Sequence, residues 1–202
     1  VTIPSLFDRI IQTAKEHNLY VLSDEIYSEY KQILEGTSVL SFGYKKSIVT
    51  KSFSKSHAMT GFRVGYVIAD PSIIEKMSKL QALSLTNVSE PIQYVALQAL
   101  KADTSENTKI INSRLQALFH IAKDIGLEFI EPDGAMYLFA KTKYKNFDAT
   151  KFSEKLLERG VAIAPGEGFG DYKEFFRITA IDETKLKEGM IILDTILKES
   201  YE

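Results

Sequence analysis

The fold prediction starts from the stretch Ser47-Ile-Val-Thr-Lys-Ser-Phe-Ser-Lys-Ser-His-Ala-Met-Thr-Gly-Phe-Arg-Val-Gly-Tyr66. Residues 47–53 form a short run typical of a strand that is buried on both faces, and a second such run follows at 65–69. Serine, lysine, glycine and arginine residues lie between the two runs and supply hydrogen-bond donors of the kind that a phosphate group needs. Open α/β sheets bind ligands just beyond the carboxyl ends of their strands, so the stretch predicts an anion site around Lys55.

Helical and strand patterns alternate on both sides of this stretch. Apolar residues recur at helical spacing over 5–17. A short apolar run at 19–22, also typical of a strand that is buried on both faces, ends at the acidic pair Asp24-Glu25. If the two strands are neighbours, Asp24 opens onto the same crevice as Lys55. The order of elements favours an α/β layer. Further helical patterns begin after Pro71, run from Pro91 to Ala102 and cover 105–125.

The pattern changes after Gly126. Strands and helices no longer alternate regularly there, which favours an α+β unit. We place the domain boundary near Pro91, which gives domains of residues 1–90 and 91–202. The elements predicted after Gly126 are two short strands around the turn Pro132-Asp-Gly134, a helix at 149–159, a strand at 161–164, a glycine-rich loop at 165–170, a strand at 174–180 and a helix at 183–199.

Composition and charge exclude several classes of protein. The 202 residues are 45% hydrophobic, enough to bury a substantial core, and 25 basic against 27 acidic residues leave a net charge of −2. This balance supplies no broad basic surface for nucleic acid or an anionic membrane. With no cysteine and three histidines, a disulfide scaffold is excluded and no metal site is expected. We expect a soluble, cytoplasmic protein without a membrane span.

Four motifs, in their order along the chain, resemble the signature of class I and II aminotransferases. These are fold-type I enzymes that use pyridoxal 5′-phosphate (PLP), and the resemblance extends over the whole chain. It implies that 1–90 are the C-terminal part of a PLP-binding large domain, a mostly parallel sheet with helices, and that 91–202 are a smaller α+β C-terminal domain. The motifs are Asp24-Glu-Ile-Tyr27, Ser52-Phe-Ser-Lys55, Gly61-Phe-Arg63-Val-Gly65 and Phe176-Arg177-Ile178.

The resemblance implies a role for the reactive residues of these motifs. Lys55 resembles the lysine that binds the PLP aldehyde covalently and later carries a proton, which an amine does only when it is neutral. Asp24 resembles the carboxylate that pairs with the pyridine nitrogen and keeps the ring an electron sink. Tyr27 resembles the phenol that hydrogen-bonds the 3′-oxygen of the cofactor.

The remaining motif residues resemble groups that hold anions. Ser52 and Arg63 match ligands of the cofactor phosphate, and Ser54 is a further candidate. Arg177 resembles the arginine that binds the α-carboxylate of amino-acid substrates through two parallel hydrogen bonds. This carboxylate is common to all amino acids, so small neutral, aromatic and dicarboxylic substrates all stay open.

The activity implied by the resemblance is transfer of an amino group from an L-amino acid to a 2-oxo acid, in amino-acid metabolism. Family members carry most of the large domain before the segment that matches Val1, so we expect this chain to be a fragment that lacks the N-terminal half. Alone it should bind PLP weakly, if at all, and be inactive. The full-length protein is expected to be a homodimer.

Three alternatives are weighed against this interpretation. Each residue alone has an ordinary structural role: a turn for Asp24, a surface position for Lys55, an ion pair for Arg177. The spacing from Ser52 to Lys55 also fits the S-x-x-K motif of serine acyl-enzymes, although the glycine of a K-T-G element is missing at 141–143. The third alternative is a non-catalytic, aminotransferase-like sensing or regulatory domain.

Overall fold

The computed structural model describes residues 4–30 and 37–201. The chain divides into two units, Val1–Thr108 and Lys109–Glu202. The helix α5 (Ser105–Asp124) begins in the first unit and continues into the second. The assignment of 1–90 and 91–202 as functional domains stays a prediction, since spatial division of a chain does not assign function to its parts.

The described part of the first unit contains three strands and four further helices. They agree with the predicted elements apart from shifts of a few residues at the ends, with two exceptions. The one-turn helix α2 was not predicted, because its first residue, Phe53, was assigned to the preceding strand, and the first strand begins at Val21 rather than at residue 19. The reason for this later start is the end of α1, where Asn18 adopts a left-handed conformation and Leu19 N–H donates to Ala14 O at 2.8 Å. The elements are α1 (Pro4–Glu16), β1 (Val21–Asp24), β2 (Ser47–Ser52), α2 (Phe53–Ser56), β3 (Gly65–Ala69), α3 (Pro71–Ser84) and α4 (Glu90–Ala99).

The three strands form one sheet in the order β1-β2-β3. β1 and β2 pair in parallel with Asp24 opposite Thr50, which confirms that these strands are neighbours. β2 and β3 pair antiparallel with Ser52 opposite Gly65. The carboxyl ends of β1 and β2 and the start of β3 therefore meet at one edge of the sheet, which we call the ligand edge.

Two apolar clusters stabilise the first unit. Phe7 and Ile11 of α1 pack on Val39 and Val49, so α1 covers one face of the sheet. Burial on both faces was predicted and is wrong for the described residues, because Leu22 on β1 is 69% exposed. The second cluster consists of Phe53, Met59, Val64 and Ala96, and it joins α4 to the segment between β2 and β3.

The second unit is the α+β arrangement that the sequence predicts. Its sheet is antiparallel in the order β4-β5-β7-β6, and one core of buried side chains, including Leu115, Phe152, Phe176 and Leu193, joins the sheet to the helices. None of the helices among the described residues has the length and hydrophobicity needed to cross a membrane. The elements are β4 (Glu128–Phe129), β5 (Tyr137–Lys141), α6 (Ala149–Glu158), β6 (Ala164–Pro165), β7 (Phe175–Thr179) and α7 (Glu183–Tyr201).

The strand predicted at 161–164 is the element that differs most. β6 covers only Ala164–Pro165, because Val161 N–H donates to Leu156 O at 2.9 Å and closes the end of α6. Gly160 adopts φ 82° at this helix end, and Gly126 adopts φ 76° at the end of α5, as their positions predicted.

Replacing Gly65 by alanine should weaken the ligand edge. A Cβ atom at Gly65 would lie 2.5 Å from Lys51 O, and both groups belong to paired backbone, so the strands must separate. We expect Gly65→Ala to lower the free energy of unfolding by about 1–3 kcal/mol in urea titrations. Gly61→Ala is the matched control, because no atom lies within 4 Å of a Cβ at that position. An equal loss in both variants would contradict this account of the strand pairing.

Candidate functional site

Asp24 lies at the ligand edge, at the last position of β1. Its Oδ1 atom accepts two hydrogen bonds, from Ile26 N–H and from Thr50 Oγ1, each at 3.2 Å. The bond from Thr50 joins the end of β1 to β2. The residue is exposed, and Oδ2 accepts no hydrogen bond from the described residues, so this oxygen is available to a donor on a ligand.

Lys55 lies on the one-turn helix α2, which follows β2 directly. Ser52 caps this helix by accepting a hydrogen bond from Ser54 N–H at 3.1 Å. Lys55 is half-buried, and its Nζ atom lies 5.9 Å from the centre of the Tyr27 ring. Within 4–30 and 37–201, Nζ has no hydrogen bond or ion pair. The structure therefore brings the Lys55 amine and the Tyr27 phenol together and leaves the amine open to react.

Arg63 lies on the segment that returns to the ligand edge before β3. Phe53 N–H donates to Val64 O at 3.4 Å, which holds this segment beside the start of α2. Arg63 adopts φ 52°, a conformation uncommon for a residue with a side chain. It is exposed, and Nη1 donates to Thr60 O at 2.9 Å. The other guanidinium donors are left for an anion. Ser52 pairs with Gly65, which follows Arg63 by two residues.

A buried carboxylate that the sequence analysis did not single out supports this edge. Glu25 Oε1 accepts hydrogen bonds from Ser23 Oγ at 3.2 Å, Ser38 Oγ at 2.9 Å and Val39 N–H at 3.1 Å. Glu25 Oε2 lies 3.6 Å from Lys51 Nζ, and the two side chains are only 10% and 21% exposed. The acidic pair at 24–25 was visible in the sequence, but the partners of Glu25 come from distant segments.

Tyr66 lies opposite Lys51 on β3, near these charges. Burial raises the pKa of its phenol, and the negative charges of Glu29 and Glu25 raise it further. The ring packs against Phe53 with centroids 5.6 Å apart. Tyr66 is therefore a packing residue whose phenol stays protonated around neutral pH.

Arg177 lies in the second unit, on β7. Its guanidinium carbon is 4.3 Å from the centre of the Tyr137 ring and 4.8 Å from that of Phe169, so two aromatic faces hold the charge. Arg177 Nε is buried and has no hydrogen-bond partner among the described residues. Gly166 begins the short 3-10 turn that carries Phe169, and a Cβ there would lie 2.2 Å from Tyr172 O. The surroundings thus hold a cation that retains an unused donor.

The predicted site residues therefore fall into two groups. The ligand edge of the first unit carries Asp24, Tyr27, Ser52, Ser54, Lys55 and Arg63. Arg177 belongs to the second unit. The chemistry at the ligand edge combines an exposed carboxylate, a phenol, an amine without a counter-ion and donors suited to an anion.

Comparison with known proteins assigns the chain to a protein family. The family model described as "Aminotransferase class I and II" matches residues 4–192. An aspartate aminotransferase of Thermotoga maritima is 38% identical over 163 residues, covering 79% of this chain and 42% of the relative. Aromatic-amino-acid aminotransferase 2 of Thermococcus litoralis is 32% identical and covers 95% of this chain and 52% of the relative. The chain spans about half the length of these curated relatives.

Solved structures agree with the sequence matches. The crystal structure of the Thermotoga maritima aspartate aminotransferase superposes with a TM-score of 0.91 and 34% identity, over 98% of this chain and 53% of the other. An aromatic aminotransferase from Pyrococcus horikoshii superposes with a TM-score of 0.90 and 33% identity, over 98% and 56%. The predicted fold class is thereby confirmed.

Removing the Glu25 carboxylate should destabilise the first unit. Glu25→Ala removes the nearer carboxylate from the half-buried Lys51 ammonium, which keeps Glu29 Oε1 at 3.9 Å, and frees three donors. We therefore expect a loss of about 1–3 kcal/mol in the free energy of unfolding. Glu75→Ala is the matched control, because its ion pair with Lys79 is exposed and contributes less than about 1 kcal/mol. Urea unfolding of both variants measures the difference, and similar losses would remove Glu25 from this supporting role.

Proposed function

Because the chain belongs to the class I and II aminotransferase family, we propose that it carries the reactive lysine, the cofactor ligands and the substrate arginine of a PLP-dependent transaminase. Such an enzyme moves an amino group from an L-amino acid to a 2-oxo acid. The observation that carries the proposal is the Lys55 amine. It is half-buried, lies next to Tyr27, and has no hydrogen bond or ion pair within the described residues.

The residues at the ligand edge fit the chemical groups of PLP. The cofactor presents an aldehyde, a pyridine nitrogen, a ring oxygen and a phosphate. Lys55 would bind the aldehyde, Asp24 Oδ2 would accept a hydrogen bond from the protonated nitrogen, and Tyr27 would donate to the ring oxygen. The exposure of Asp24 and the confinement of its two hydrogen bonds to Oδ1 support this assignment.

The phosphate would be held by Ser52, Ser54 and Arg63. Ser52 Oγ accepts a bond from Ser54 N–H, which leaves the hydroxyl proton of Ser52 free to donate to an anion. Arg63 uses Nη1 for Thr60 O and retains its other donors for a phosphate oxygen. Charge-assisted bonds of this kind would hold the cofactor phosphate at the end of the sheet from which the chain continues to Lys55.

Lys55 would also move the proton during the reaction. When bound, PLP supplies the electron sink that stabilises the electron pair left at Cα of the substrate after that proton departs. After the substrate amine has displaced Nζ from the aldehyde carbon, the neutral Nζ of Lys55 would take the proton from Cα and deliver it to that same cofactor carbon. Water would then release the 2-oxo acid and leave the amino group on the cofactor. The carboxylate of Asp24 would favour this step by keeping the pyridine nitrogen protonated.

Arg177 would bind the α-carboxylate of the substrate. The planar guanidinium matches two carboxylate oxygens, and the rings of Tyr137 and Phe169 limit its rotation. The buried Nε donor without a partner supports an anionic ligand at this position. We restrict the proposal to α-amino acids and 2-oxo acids as classes, because this carboxylate is common to all of them.

Several finer expectations stay predictions. They are the functional domains 1–90 and 91–202, a cytoplasmic location, and a homodimer in the full-length protein. Neither the S-x-x-K acyl-enzyme nor the regulatory domain is favoured by a separate observation. The family match over residues 4–192 speaks against the acyl-enzyme.

The proposed role of Lys55 is tested by trapping. Because the chain alone is expected to bind PLP weakly, the folded chain is incubated with PLP at increasing concentrations until the rate of labelling saturates. It is then reduced with borohydride, and the labelled peptides are quantified by mass spectrometry. We expect Lys55 to be labelled about tenfold faster than Lys79, which is 71% exposed and ion-paired, because a preorganised site favours adduct formation.

Lys55→Ala should remove the fast label, and Lys79→Ala should leave it unchanged. Labelling of Lys55 at the rate of Lys79 would overturn the proposed function. Acylation of Ser52 by a penicillin would instead support the acyl-enzyme.

A further inference from the structure

We propose that Tyr30 is a positioning residue for Lys55, because its hydroxyl holds the backbone of the lysine-bearing helix α2 in place. The inference rests on the proposed function of Lys55. Tyr30 belongs to none of the motifs that the sequence analysis singled out. It lies in the turn that follows β1, three residues after Tyr27.

The helix α2 is too short to be stable by itself. It contains four residues, Phe53–Ser56, and the last four carbonyl groups of an α-helix have no partner within the helix. The chain leaves the helix through Ala58, which adopts φ 54°. The position of Lys55 therefore depends on contacts made to α2 by other segments.

Side-chain donors from three other segments supply these contacts. Each one bonds to a different carbonyl group in the last turn of α2, so the helix is held at three successive residues. Without these bonds α2 would lose three contacts to other segments of the chain, and the turn would loosen. The three bonds are Thr60 Oγ1 to Ser54 O at 3.0 Å, Tyr30 Oη to Lys55 O at 2.5 Å, and Asn107 Nδ2 to Ser56 O at 3.0 Å.

Tyr30 is the most buried of the three donors. The residue is 3% exposed, whereas Thr60 is exposed and Asn107 is half-buried, so the ring of Tyr30 is held by packing on its sides. The bond from its hydroxyl to Lys55 O lies at the short end of the range for O–H···O bonds. Burial also raises the pKa of Tyr30, so the phenol stays protonated and continues to donate around neutral pH.

Tyr30 also connects the two residues proposed to contact the reacting end of the cofactor. Its backbone N–H donates to Tyr27 O at 3.0 Å, while its hydroxyl donates to Lys55 O. The same residue thus fixes the backbone on both sides of the 5.9 Å gap between Lys55 Nζ and the Tyr27 ring. Loss of the hydroxyl should widen the range of positions that Lys55 samples.

The variant Tyr30→Phe tests this role, because it keeps the ring and removes the donor. We measure the rate of the PLP label on Lys55, trapped with borohydride, with Lys79 as the internal reference in the same sample. We expect the Lys55 rate to fall by about three- to tenfold, the range that loss of one net hydrogen bond gives, while the Lys79 rate is unchanged.

A second readout needs no cofactor. Ala58 N–H also donates to Lys55 O, at 3.2 Å, so its amide hydrogen exchange reports directly on this end of α2. We expect faster exchange at Ala58 in Tyr30→Phe. An unchanged exchange rate together with an unchanged Lys55 rate would overturn the inference.

Tyr44→Phe is the matched control. The Tyr44 hydroxyl also donates to backbone carbonyl groups, Ala14 O at 3.1 Å and Leu19 O at 2.7 Å, but these belong to the end of α1. Both variants should lower the unfolding midpoint, and only Tyr30→Phe should slow the label on Lys55. Equal slowing in both variants would reduce Tyr30 to a general structural role and overturn the inference. A wild-type chain that labels Lys55 no faster than Lys79 would overturn the proposed function itself.

Discussion

The parallel pairing of β1 with β2 is the constraint on which the candidate site depends. It sets Asp24 opposite Thr50, so residues far apart in sequence leave the sheet at the same edge. Parallel strands require a long connection, and this one returns through a turn whose Ser38 hydroxyl and Val39 N–H both bond to Glu25. Glu25, next to Asp24, thus connects the end of β1 both to this turn and to Lys51 on β2, the strand that leads into the helix carrying Lys55.

Lys55, the lysine proposed to react, lies on the shortest α-helix among the described residues of the first unit. A single turn of helix adds little stability of its own, so its geometry is imposed by Tyr30, Thr60 and Asn107. This arrangement lets the backbone of Lys55 be fixed while its amine has no counter-ion among the described residues. An ion pair would hold the side chain equally well, but it would keep the amine protonated and unreactive.

The sequence predicted the ligand edge because local signals sufficed there. Short apolar runs ending at Asp24 and before Lys55 marked two strand ends, and the helix ends at Gly126 and Gly160 followed from glycine alone. The long-range partners of Glu25 and Tyr30 were not predictable, because they lie 13 to 26 positions away and depend on tertiary pairing. The prediction that β1 is buried on both faces was wrong for the same reason. Nothing in the sequence next to Leu22 indicates whether another element packs on it, and it is exposed among the described residues.

The burial of the Arg177 Nε donor is energetically unfavourable, and packing alone does not explain why an arginine occupies this position. Its neighbours on β7, Phe176 and Ile178, are buried in the core, and an apolar residue at position 177 would suit the rings of Tyr137 and Phe169 equally well. A buried donor without a partner is unfavourable by about 1–3 kcal/mol. The charge–ring contacts offset part of this, but they leave Nε without an acceptor among the described residues. A carboxylate ligand would supply that acceptor, which is why the energetic imbalance itself argues for a binding role.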